Sequence, residues 1–216
     1  VTLQDFASLK NQMIDSERNG YGTELSDILL TFEEQTAMDP GVLMERFWDM
    51  FIVDAFIGNW DRHNGNWGFL YDTRTDEMAL APVYDCGSSL YPQADEHIMA
   101  SVLEKPSELN FRVYEIPTSA IMVNGKKLKY FDFLSSHQNE DCNRALKRIT
   151  SRIDMERIRQ IIGNTPFISD LQRRFYLTML TERKRLILDY ALTELEKKET
   201  GVSAPKRRSQ PDRGSR

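Results

Sequence analysis

The segment from Pro40 to Ile57 constrains the fold most, because apolar side chains occupy nearly every side of the helix that it predicts. Asp39 and Pro40 mark its start, since Pro lacks only an N–H that would have no partner in the first turn. Gly58 marks its end. A helix of this kind lies inside a core. Asp54 lies in its most apolar part, and we expect this carboxylate to pair with a neighbouring polar group, because an unpaired buried charge is unfavourable.

Composition excludes several classes of protein. The chain has 216 residues, of which 40% are hydrophobic and 28% charged, as in globular proteins. Asp54 interrupts the richest apolar run, so no stretch reaches the roughly 18 apolar residues of a membrane span. The amino terminus has no secretory signal pattern, and two cysteines are too few for a disulfide framework. We therefore expect a cytoplasmic protein. Because the chain begins with Val, we also expect it to be part of a longer protein.

Charge divides the chain into a body and a tail. Residues 200–216 contain five basic side chains and one acidic side chain, which gives this tail a net charge of +4. Since the net charge of the whole chain is −5, residues 1–199 have a net charge of −9. An acidic body argues against nucleic-acid binding, which depends on a basic face. The tail has almost no apolar residues and is predicted to be a disordered basic segment. Residues 1–199 are predicted to form one domain.

Helical periodicity dominates this domain and predicts a mainly α fold with two small β-hairpins (α+β). Thr2 and Asp5 form a capping-box pattern and predict a helix that starts at Thr2. Thr23 is the predicted cap of a second helix, and Ser169 with Gln172 predicts the start of a long helix near the end of the domain.

Two interruptions of the helical pattern predict the hairpins. The first covers 67–84, where alternating aromatic residues precede a polar turn at 72–77. The second covers 120–133, where Asn124-Gly125 is a strong type I′ turn signal.

Polar residues surround the first hairpin. Asp61 and Asn66 lie on the loop before it, and Asp85 follows it directly. Since a hairpin returns the chain to its starting edge, we expect the three side chains to lie close together. Carboxylate and amide oxygens are the ligands of a Mg²⁺ ion that also holds phosphates. Phosphoryl transfer needs such ligands and a carboxylate that accepts the proton of the attacking hydroxyl. Asp61 is the candidate base, and Asn66 and Asp85 are the candidate metal ligands.

The pattern Asp61-x-His63-x-x-Asn66, followed by a hairpin that ends in Tyr84-Asp85, resembles the catalytic and metal-binding loops of HipA-like serine/threonine kinases. These are bacterial proteins with a protein-kinase-like C-lobe, often the toxin of a toxin–antitoxin pair. The loop is also similar to that of phosphoinositide 3- and 4-kinases. The resemblance extends over about residues 1–195.

The resemblance implies ATP and Mg²⁺ as cofactors, a protein Ser/Thr hydroxyl as acceptor, an antitoxin as partner and no membrane. It assigns Asp61 as proton acceptor and Asn66 and Asp85 as Mg²⁺ ligands. The residues that it places at the nucleotide are His63, Asn64, Gly65, Asn66, Tyr84 and Asp85.

Two features depart from the family pattern. Cys86 stands where the metal-binding motif commonly has Phe. No glycine-rich phosphate loop or phosphate-pairing Lys is visible. Those elements belong to the N-lobe, which we expect to be absent from this chain and to precede Val1, so the isolated chain is expected to be inactive.

The sequence leaves four alternatives to the kinase interpretation open. In the first, the loop does no more than cap a helix end, although the position of Asp85 after the hairpin favours a catalytic role. A zinc hydrolase needs further ligands, and His97 and His137 have no neighbours at ligand spacing. A lipid kinase would share the loop but should present a basic surface to the membrane. A non-catalytic interaction module would retain only the shape of the lobe.

Overall fold

The computed structural model describes residues 1–13 and 19–201, so nearly all of the predicted disordered tail lies outside the described residues. The predicted mainly helical fold with small antiparallel sheets is confirmed. No helix in the described ranges is both long enough and apolar enough to cross a membrane. The strands are β1 (Thr2–Asp5), β2 (Gly68–Asp72), β3 (Glu77–Leu80), β4 (Met122–Val123) and β5 (Lys126–Lys127). The helices are α1 (Phe6–Met13), α2 (Leu25–Glu34), α3 (Pro40–Ile57), α4 (Glu96–Glu104), α5 (Pro106–Tyr114), α6 (Tyr130–Ser136), α7 (Glu140–Thr150), α8 (Met155–Asn164), α9 (Asp170–Arg183), a π-helical turn (Lys184–Asp189) and α10 (Tyr190–Glu199).

Helix α3 lies at the centre of the core, with the predicted bounds. The Asp39 carboxylate accepts the N–H groups of Gly41 and Val42 at 2.7 and 3.3 Å, which caps the first turn. Gly58 ends the helix in the left-handed conformation, with φ 67°. Helices α2, α7 and α9 and the π-helical turn pack around α3, so the element with the strongest apolar pattern organises the others.

The amino-terminal segment differs from the prediction. The predicted helix start at Thr2 is wrong, because β1 pairs antiparallel with β2 and places Leu3 opposite Leu70. The first hairpin therefore becomes a three-stranded sheet in the order β1-β2-β3. Asp5 still caps a helix, since its carboxylate accepts the N–H of Ser8 at 2.8 Å. The sequence pattern therefore does mark a capped helix, but this helix is α1, which begins after β1.

Thr23 also differs from its predicted role. Its hydroxyl donates to the carbonyl of Ala120 at 2.7 Å, and α2 begins one residue later than a Thr23 cap requires. The intervening Glu24 accepts the N–H groups of Asn124 and Gly125 at 2.6 and 3.0 Å. Both side chains therefore attach the second hairpin to the start of α2.

The second hairpin is shorter than predicted. Asn124 and Gly125 have φ values of 52° and 72°, as a type I′ turn requires. Strands β4 and β5 have two residues each. Residues 130–133 were predicted to belong to the hairpin but form the start of α6, where Tyr130 and Leu134 are buried on one face.

Gly68 provides a test of the β1–β2 pairing. A Cβ atom at Gly68 would lie 2.0 Å from the carbonyl oxygen of Gln4. Gly68→Ala is therefore expected to lower the free energy of unfolding by about 1–3 kcal/mol, measured by denaturant titration. The matched control is Gly163→Ala in α8, where nothing lies within 4 Å of the added atom. This control should raise stability by about 0.5–1 kcal/mol, because Ala favours a helix. Equal stability of the Gly68 variant and the wild type would contradict the pairing.

Candidate active site

The loop 58–67 connects α3 to β2 and carries most of the predicted site residues. The N terminus of α1 holds it from one side. The N–H groups of Phe6 and Ala7 donate to the carbonyls of Trp67 and Asn64, each at 2.9 Å. First-turn N–H groups have no partner within their own helix, so the loop supplies one. The Phe6 ring also stacks on the Trp67 ring, with centroids 4.3 Å apart.

Arg62 connects the loop to two other elements. Its Nε and Nη2 donate to the two carboxylate oxygens of Asp54 at 3.0 and 3.2 Å. Its Nη1 donates to the carbonyl of Asn66 at 2.6 Å and to that of Tyr84 at 2.5 Å. One guanidinium therefore joins α3, the loop and the residue before Asp85. The sequence motif leaves this position unspecified, and the signal that points to it is the buried carboxylate of Asp54, which needs a partner.

Asp54 and Arg62 form a buried pair. Burial raises the pKa of the Asp54 carboxyl, while the hydrogen bonds and charge of Arg62 and the amide of Asn59 act in the opposite direction. The expected pairing of Asp54 with a neighbouring polar group is confirmed. Asn59 donates to Asp54 at 2.9 Å, and its carbonyl accepts the hydroxyl of Tyr130 at 2.6 Å. The start of the loop is thus fixed to α3 and α6.

Asp61, Asn66 and Asp85 retain unused oxygen atoms. The side-chain N–H of Asn66 donates to the carbonyl of Asp61 at 2.8 Å. No residue in ranges 1–13 and 19–201 donates a hydrogen bond to Asn66 Oδ1 or to the carboxylates of Asp61 and Asp85. Asp85 has φ 51°, a left-handed conformation that Asp tolerates better than most residues.

These free oxygens fit a Mg²⁺ ion that also binds phosphates, since such an ion takes few protein ligands. The described residues contain no group of three His, Cys, Asp or Glu side chains that could hold a metal ion. The donors available here are therefore the amide oxygen of Asn66 and the carboxylate of Asp85.

His63, Gly65 and Tyr84 form the outer part of the loop. The N–H of Gly65 donates to His63 Nδ1 at 3.0 Å. Because Nδ1 accepts this bond, the neutral imidazole carries its proton on Nε2. The hydroxyl of Tyr84 donates to the carbonyl of Gly65 at 3.3 Å. Burial, and to a smaller extent the charge of Asp5, raises the pKa of the Tyr84 hydroxyl, so this hydroxyl stays protonated.

Asn64 differs from the other predicted nucleotide-site residues because its side chain is completely buried. Its amide nitrogen donates to the carbonyls of Gly20 and Gly22 at 2.8 and 2.7 Å. Its amide oxygen is also buried and has no hydrogen-bond partner among the described residues. Because no part of Asn64 is exposed and its carbonyl accepts the N–H of Ala7, the residue supports the interior of the loop and offers no surface to a nucleotide.

Cys86 lies beside the same guanidinium. Arg62 Nη2 donates to its sulfur at 3.3 Å, and the residue is exposed. A Phe at this position has no atom that could accept this bond. The departure from the family pattern therefore adds one more contact to Arg62.

Comparison with known proteins decides the family. The family model described as HipA-like C-terminal domain matches residues 1–165. The chain belongs to the HipA-like C-terminal domain family. Serine/threonine-protein kinase CtkA of Helicobacter pylori strain J99 is 50% identical over 192 residues, which cover 88% of this chain.

The fold of this HipA-like domain is also similar to a solved structure. The crystal structure of a Helicobacter pylori proinflammatory kinase, CtkA, matches with a TM-score of 0.87 at 49% identity and covers 90% of this chain and 72% of that chain. The HipA-like domain spans 59% of the length of the curated CtkA sequence. The predicted resemblance to HipA-like kinases is confirmed, and the matched range contains every predicted site residue.

Proposed function

We propose that this HipA-like domain carries the catalytic loop of a serine/threonine protein kinase, which transfers the γ-phosphate of ATP to a protein hydroxyl with Mg²⁺. The observation that carries the proposal is the contact of Arg62 with both the Asn66 and the Tyr84 carbonyls. It joins the backbone of Asn66 to that of Tyr84, the residue before Asp85, while the side-chain oxygens of Asn66 and Asp85 accept no hydrogen bond from the described residues. The name of the curated relative, a serine/threonine-protein kinase, supports the same activity.

Asp61 is the residue that accepts the proton of the attacking hydroxyl in this proposal. Asp61 is half-buried, and its backbone is fixed on both sides, because its N–H donates to Asn59 Oδ1 at 3.2 Å and its carbonyl accepts the side-chain N–H of Asn66 at 2.8 Å. Asn66 Oδ1 and the Asp85 carboxylate would hold Mg²⁺, which supplies positive charge against the phosphate oxygens. His63 offers its Nε2–H to an oxygen of the transferring phosphate, while Gly65 and Tyr84 line the nucleotide site and the buried Asn64 supports the loop from inside.

Removal of divalent metal tests this assignment in the complete protein. With γ-labelled ATP and a bacterial protein extract, EDTA is expected to reduce labelling to background, and added Mg²⁺ to restore it. The label should be on Ser or Thr. Labelling that persists in EDTA would contradict the metal assignment.

The acceptor is tested in a parallel reaction with phosphoinositide vesicles. Label in the lipid and none in protein would show a lipid kinase instead. A complete protein that neither labels an acceptor nor binds Mg-ATP in a titration would be an interaction module.

Family membership also suggests an antitoxin partner and a place in the bacterial cytoplasm, and both stay predictions. Co-purification of a tightly bound bacterial protein that lowers phosphotransfer would support the antitoxin.

A further inference from the structure

The segment 20–22 lies against the loop 58–67, and two buried side chains hold it there. Asn64 donates to the carbonyls of Gly20 and Gly22, and Lys10 Nζ donates to the carbonyl of Gly22 at 2.9 Å. Lys10 is only 1% exposed, and its burial lowers its pKa, opposed by Asp27. Burial of an ammonium and an amide is unfavourable unless they form hydrogen bonds. The segment is therefore held by several strong contacts that the proposed chemistry does not use.

The residue that this segment presents to the loop is Tyr21, which is 49% exposed. Its ring lies edge-on to the imidazole of His63, with centroids 5.9 Å apart, and its hydroxyl donates to Asp5 at 3.4 Å. A Cβ atom at Gly65 would lie 2.7 Å from Tyr21 Cε1 and 3.0 Å from His63 Cε1. The two rings therefore share the space above Gly65, and the absence of a side chain there permits their contact.

We propose that Tyr21 is a positioning residue for His63. This inference rests on the proposed function, in which His63 offers its Nε2–H to the transferring phosphate. The Gly65 N–H fixes one ring nitrogen of His63, and the Tyr21 ring blocks one side of the imidazole. A half-exposed imidazole without that ring has other rotamers available. A small displacement of a group that contacts the reacting atoms lowers the rate of the chemical step.

Three variants of the complete protein test this role. Tyr21→Ala is expected to lower kcat about tenfold, with little change in the KM for ATP, because this substitution displaces the imidazole of His63 without removing it. Tyr21→Phe keeps the ring and should retain wild-type kcat. Tyr190→Ala is the matched control, since Tyr190 is 47% exposed and its ring contacts Phe131 in α6. Equal losses in Tyr21→Ala and Tyr190→Ala would indicate a general effect and overturn the proposal.

A double-mutant cycle with His63→Ala separates positioning from packing. If Tyr21 acts through His63, Tyr21→Ala should have no further effect on kcat once His63 is Ala. Two losses that multiply would overturn the proposal.

Nitrogen-15 NMR of the His63 ring gives a readout that is independent of activity. In alkaline buffer, where imidazole is neutral, the wild type should show the Nε2–H tautomer and Tyr21→Ala a mixture of both tautomers. A single tautomer in both proteins would overturn the positioning role. Absence of phosphotransfer in the wild type would instead contradict the proposed function, while the NMR comparison would still report on Tyr21.

Discussion

Replacement of Asp61 by Asn is expected to lower phosphotransfer by the complete protein at least about 10²-fold, because an amide cannot accept the proton of the attacking hydroxyl. The fold should not change. Asn has the same shape as Asp, and Asp61 forms hydrogen bonds with the described residues only through its backbone. The measurement is the initial rate with γ-labelled ATP.

Asp85→Asn should cause a loss of similar size for a different reason, since it removes a charge from the proposed metal site. A higher Mg²⁺ concentration should partly restore the rate of Asp85→Asn and have no such effect on Asp61→Asn. Asp76→Asn is the control, because Asp76 is also exposed and left-handed, with φ 58°, but lies in the turn between β2 and β3. Wild-type rates in both site variants would contradict the proposed function.

The features predicted from sequence are those that neighbouring residues determine. Helix α3 has its predicted bounds because Asp39 and Gly58 terminate it through contacts within a few residues. The capping box of Ser169 and Gln172 is present for the same reason. Asp61, Asn66 and Asp85 were recognisable because the chemistry requires those residue types at the two ends of one hairpin, and the turn of that hairpin is local.

The features that were missed depend on partners far away in the chain. Strand β1 exists because β2, more than sixty residues later, pairs with it. Tyr21 contacts His63, which lies more than forty residues later in the chain, and no local pattern marks that contact. Arg62 occupies a position that the motif leaves unspecified, and its importance shows only in its contacts with Asp54 and with the carbonyls of Asn66 and Tyr84.

Replacement of Arg62 by Met is expected to lower the free energy of unfolding by about 3–5 kcal/mol, because it leaves the carboxylate of Asp54 buried without its cation. The carbonyls of Asn66 and Tyr84 also lose their donor. Denaturant titration measures the loss. The control is Arg74→Met, since the side chain of Arg74 is 85% exposed and lies 3.6 Å from Asp72. Surface ion pairs of this kind contribute about 0–1 kcal/mol.

The double variant Asp54→Leu with Arg62→Met separates stability from positioning. Two apolar side chains of similar volume often replace a buried ion pair with little loss of stability, so we expect most of the stability to return. Phosphotransfer should stay low, because no guanidinium then holds the Asn66 and Tyr84 carbonyls together. Recovery of both stability and phosphotransfer would show that Arg62 only neutralises Asp54. Recovery of stability alone would show that the guanidinium also sets the distance between the two ends of the hairpin, where the proposed metal ligands lie.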